Sequence, residues 1–66
     1  MEYKSIYHVS RNPGVEMNIP KDEGLSIDYS PKENRLELKG EDVSRMMFVI
    51  SALRLSNPEI EFTKID

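Results

Sequence analysis

Cysteine and tryptophan are absent from this 66-residue sequence, histidine occurs once and glycine three times. Without cysteine, disulfides and thiolate zinc sites are excluded, and His8 alone builds no metal centre. Gly14, Gly24 and Gly40 stand apart, so no glycine cluster forms a phosphate loop or a nucleophile elbow. Seven serines are present, with one histidine to activate any of them. The longest apolar run, Met46 to Ile50, falls far short of the ~20 residues that span a bilayer. Glu2, Lys4, Arg11 and Glu16 interrupt the opening stretch, where a signal peptide needs an unbroken apolar segment. No Asn-x-Ser/Thr sequon occurs. The expectation is a cytoplasmic protein that does not enter membranes, binds no cofactor or metal and is not an enzyme.

Two further arrangements of acids fall short of chemistry. Glu59 and Glu61 stand two apart on an expected strand, the usual pattern of a wet face. Asp22-Glu23-Gly24 resembles part of a calcium loop but lacks the alternating ligands and closing glutamate.

Net charge is −3, and the acid excess lies in the middle of the chain. Residues 15–42 hold eight acids against four bases. This balance speaks against duplex nucleic acid, whose binding needs clustered Lys and Arg.

What the sequence does have is regular punctuation. Ser10-Arg11-Asn12-Pro13-Gly14, Pro20-Lys21-Asp22-Glu23-Gly24 and Ser30-Pro31-Lys32-Glu33-Asn34 are turn segments, in which proline presets φ and glycine accepts positive φ. Asn12-Pro13-Gly14 suits a type II turn. Between the turns apolar residues alternate with period two: Val15, Met17 and Ile19; Leu25, Ile27 and Tyr29; Leu36 and Leu38. Such alternation marks strands with one buried and one wet face. The segment Glu2 to Val9 reads as a first strand, with Tyr3, Tyr7 and Val9 on one face and Lys4, Ile6 and His8 on the other. Ile6 then breaks an otherwise polar face. If this strand is also an edge, its free backbone groups offer a place for another chain's strand.

Past Gly40-Glu41-Asp42 the period becomes helical. Acids are favoured at a helix start, and Pro58 requires a stop near Ser56 or Asn57. Ile60 and Phe62 then alternate with Glu59, Glu61 and Thr63 in a last short strand. The expected architecture, over one domain of residues 1–66, is α+β: an antiparallel four-strand meander, one helix and a C-terminal strand (β-β-β-β-α-β). It has two layers and is completed by dimerisation.

The helix is the most informative element. Val43, Met46, Met47, Val49, Ile50 and Leu53 form a broad stripe expected to face the sheet. The far side, where charges are the rule, carries Ser44, Phe48, Ser51, Ala52 and Leu55. Small residues beside two large ones leave grooves for another helix. A sheet of five strands is about 24 Å wide at ~4.8 Å per strand, roughly twice the ~10–12 Å width of one helix. The rest of the apolar face therefore needs a cover, which a second copy's helix supplies in a two-fold dimer. The functional expectation is a non-enzymatic protein–protein interaction module: a homodimeric regulator, inhibitor or accessory subunit, of the kind encoded by phages or operons, acting on another protein. The alternative is weak single-stranded nucleic-acid binding by Tyr3, Lys4, Tyr7, His8 and Arg11, since aromatics stack on bases while cations meet phosphates.

Overall fold

The computed structural model describes residues 1–20 and 24–65. Four strands and one helix follow in the order β1 (Tyr3–Ser10), β2 (Leu25–Ser30), β3 (Arg35–Gly40), α1 (Val43–Ser56) and β4 (Glu61–Lys64). All pairings are antiparallel, and the sheet order is β2-β3-β1-β4. The α+β class agrees with the sequence reading; the meander does not. Among the described residues three strands, not four, precede the helix, and only β2 and β3 form a hairpin. Strand β1 lies inside the sheet, with β3 on one side and β4 against Tyr7–Ser10 on the other. It is not the free edge that the sequence reading entertained.

The residues expected as a second strand, Val15 to Ile19, form no ladder. Their alternation is real nonetheless: Val15 and Met17 pack against the core, while Glu16 and Asn18 are exposed. Period two reports an extended chain with one side buried, and that condition is met without a strand partner. Both sides of β1 are already occupied over its second half, so this segment crosses the apolar face instead of joining the sheet. It covers part of the face that seemed to call for a second copy.

Asn57 holds the crossing segment in place. It is the C-cap of α1 and is buried, its accessible fraction being 4%. Its Oδ1 accepts from the Asn18 backbone N–H at 2.7 Å, and its Nδ2 donates to the Asn18 carbonyl at 2.9 Å. One side-chain amide thus makes the pair of bonds that a neighbouring strand would make. Nδ2 also donates to the Leu53 carbonyl at 2.9 Å, which serves the helix end.

The turn chemistry follows the sequence. Gly14 has φ +88°, and the Val15 N–H donates to the Asn12 carbonyl at 3.2 Å, as the Asn12-Pro13-Gly14 turn requires. Asn34 closes the β2–β3 turn at φ 52°, a left-handed position that asparagine tolerates. The second turn segment, from Pro20 to Gly24, lies largely outside the described residues, and so do Asp22 and Glu23 of the calcium-like triplet. Asp42 is the N-cap of α1 and accepts from the Arg45 N–H at 3.2 Å, satisfying one of the helix's orphan donors.

The core lies between α1 and one face of the sheet. Val9, Leu36, Leu38 and Leu53 are fully enclosed, joined by Tyr7, Met46, Val49, Ile50, Ile60 and Phe62. Leu25, Ile27 and Tyr29, on edge strand β2, are only half-buried. Ile6 is also buried, contrary to the expectation of an exposed residue. It sits on the opposite face, outside the main cluster, where Glu37 is its cross-strand neighbour and the Lys4–Glu37 ion pair (3.7 Å) lies beside it. Long charged side chains cover apolar surface with their stems, so an internal strand can enclose an isoleucine on a polar face.

Candidate functional site

Helix α1 turns only four residues inward: Met46, Val49, Ile50 and Leu53. Val43 and Met47, expected in the same stripe, stay open to solvent at 46% and 64%. The stripe is narrower than its apolar residues suggest: at ~100° per residue Met46, Val49, Ile50 and Leu53 span about 100° of the helix, and Val43 and Met47 fall beyond one margin of that arc. On the outer face Phe48 is 71% and Leu55 84% exposed, with Ser44 and Ser51 exposed beside them. Ala52 is half-buried, towards one margin of that face. At ~100° per residue, Val43, Arg54, Met47, Ser51, Ser44, Leu55 and Phe48 occupy one arc of about 140°. Arg54 is the sole charged side chain on it, and its guanidinium donates to the Phe62 carbonyl at 3.1 Å.

A groove of about 530 Å³ opens along one flank of this helix. Its floor is the first half of β1, Tyr3, Ser5 and Tyr7; its wall is Val43, Met46, Met47, Ile50 and Ser51; Arg54 and Lys64 stand at one end. Two features of the chain make it. Strand β4 pairs with β1 only from Tyr7 to Ser10, so nothing in the described residues flanks Tyr3 to Ser5 on that side. And Ser5 places a small side chain in the row that holds Ile27 and Leu38 on the neighbouring strands, leaving the floor low beneath the helix. Sequence reasoning missed the groove. The one local signal was a serine between two inward tyrosines.

The aromatic and basic residues near the N-terminus do not assemble into one surface. Tyr7 is buried in the core, whereas Tyr3 is 41% exposed at the groove. Lys4 is paired with Glu37 on the opposite face of the sheet, which His8 shares. Arg11 is half-buried, with one guanidinium nitrogen donating to the Val15 carbonyl. Alternation along β1 splits the set between the two faces.

Glu59 and Glu61 are exposed; Glu59 lies in the turn before β4 and not on the strand. Among the described residues no three His, Asp or Glu side chains are grouped to hold a metal ion. Among the same residues no helix is long and apolar enough to cross a membrane. Comparison with family models, with curated proteins and with solved structures gives no match. The functional reading therefore stands on the geometry of α1 and its flank.

Proposed function

We propose that the domain is a non-enzymatic protein–protein interaction module that pairs with a second copy of itself through the outer face of α1, serving as a small regulator, inhibitor or accessory subunit for another protein. The observation that carries this reading is the exposure of Phe48 and Leu55, 71% and 84%, on a helix face without charges at its centre. Ser44 and Ser51 lie beside the two large side chains and let a facing helix approach closely.

Burying Phe48 and Leu55 contributes on the order of 1.5–3 kcal/mol each per chain, and association costs at least about 4 kcal/mol in lost freedom. The outer face of one short helix is also smaller than the ~800 Å² per partner of a standard interface. The expected dimer is therefore weak, in the micromolar range or above. Sedimentation over a concentration series up to about 1 mM tests it. Phe48→Glu should shift the protein to monomer, because its carboxylate would sit in a dry contact without a counter-ion. Lys32→Glu, on the exposed β2–β3 turn, should leave self-association unchanged. A folded wild type that stays monomeric across the series would overturn the pairing.

A further inference from the structure

We infer that the groove between α1 and the first half of β1 is a docking site for an acidic amphipathic segment of a different protein. The inference rests on the interaction-module reading but not on self-association: the groove shares Val43, Met47, Ser51 and Arg54 with the outer arc of α1, but its floor and its Lys64 end lie on the sheet, away from Phe48 and Leu55. The groove joins apolar and cationic surface in a definite order. Val43, Met46, Met47 and Ile50 line its wall, Tyr3 and Tyr7 its floor, and Arg54 and Lys64 its end at β4. Lys4 also borders it, but its ammonium is turned to Glu37, 3.7 Å away on the other face. Among the described residues the lining contains no carboxylate, in a chain whose net charge is −3. Local charge thus runs against the charge of the whole, and it selects an occupant with acids beside its apolar anchors.

Three properties fix the kind of occupant. The volume, about 530 Å³, suits a few anchoring side chains, and two adjacent methionines give a wall that can repack around them. The apolar surface continues from the groove onto Met47, Phe48 and Leu55, along a helix of 14 residues that is about 21 Å long at ~1.5 Å per residue. A surface of that length fits an elongated peptide better than a small amphiphile. Strand addition is disfavoured, because the Ile6 carbonyl already accepts from the Ile65 N–H. Alternation then leaves the backbone of Lys4 as the main open group of β1 on that side. At the β4 edge, Arg54 occupies the Phe62 carbonyl. The mode that remains is a helix laid into a groove, with anchors at i, i+3 or i+4 and i+7. A second copy's α1 does not supply this chemistry: its only charged side chains are Arg45 and Arg54, so it brings no carboxylate to Arg54 and Lys64.

The test is selection of a random 16-residue peptide library, displayed on phage, against the immobilised full chain. Enriched peptides are then titrated into isotope-labelled protein. The expected peptides carry apolar residues at helical spacing with an excess of Asp and Glu, and they shift the resonances of Tyr3, Ser5, Met46, Met47 and Lys64. Lys64→Glu should weaken them at least tenfold, whereas Lys32→Glu, the same change of net charge elsewhere, should alter affinity less than twofold. Basic or uncharged winners, shifts centred outside the groove, equal effects of the two variants, or no enrichment would each overturn the inference. Sedimentation of Phe48→Glu reports separately on self-association, so either idea can fail while the other stands.

Discussion

Asn57→Ala should destabilise the domain by about 2–3 kcal/mol. The side chain makes three hydrogen bonds, two to the backbone of Asn18 and one to the Leu53 carbonyl. A net contribution of about 1 kcal/mol per bond applies to the first two. The third is worth less, because the Leu53 carbonyl keeps the Asn57 backbone N–H at 3.0 Å. Asn18 is exposed, so water can replace the lost amide and the full penalty of an orphaned buried group does not apply. Loosening Val15 and Met17 from the core adds a further fraction. For a domain of this size, stability is on the order of 3–10 kcal/mol, and each kcal/mol moves Tm by about 4–8 °C. A drop on the order of 10–20 °C is therefore expected by thermal denaturation. Hydrogen exchange gives a sharper readout: the Asn18 amide should lose protection, while amides of β1 and β3 keep theirs relative to global stability. A Tm within 3 °C of wild type with Asn18 still protected would show that the amide does not hold the crossing segment.

Two other expectations follow from local geometry. Gly14→Ala should cost about 1–2 kcal/mol, since φ is +88° although the added Cβ meets nothing within 4 Å; a Tm equal to or above wild type would contradict the turn. Duplex DNA should not bind at physiological salt, and single-stranded DNA only weakly, because Tyr3, Tyr7, Lys4, His8 and Arg11 do not share a surface. A submicromolar affinity for a single-stranded oligonucleotide, lost in Tyr3→Ala, would reverse that conclusion.

How far the fold was legible depended on what each signal physically reports. Turn positions were legible, because Pro13, Gly14 and Asn34 act through their own φ preferences, which neighbours do not alter. The helix was legible from its period and from Pro58, and Asp42 marked its start. Val15–Ile19 misled for a clear reason. Alternation responds to one-sided burial, whereas a strand also needs a partner with free backbone groups, and that depends on sheet order. The order β2-β3-β1-β4 places β1 between two strands remote from it in sequence. Nothing local in Tyr3–Ser10 encodes that position, except in retrospect Ile6, whose burial on a polar face is the mark of an internal strand.

The same distinction separates the two halves of the candidate site. The outer face of α1 was readable because helical geometry is local: once the period is known, Ser44, Phe48, Ser51 and Leu55 must share a side, and missing charges are visible without a structure. The flanking groove was not, because it arises where elements stop. Ser5 makes a low floor only because Leu38 and Ile27 stand in its row, and among the described residues the last bond to that side of β1 is the one from the Ile65 N–H to the Ile6 carbonyl, short of Ser5. Val43 and Met47 belonged to the inward stripe by period, yet the ground they were expected to cover is this open floor. Their exposure and the groove are therefore one fact: residues apolar enough for a core stand beside a sheet half-face that the described residues leave uncovered. A chain with so few residues to enclose its own core keeps that much apolar wall at the helix flank, with Lys64 and Arg54 at its end, and the docking proposed for an acidic amphipathic segment would engage both at once.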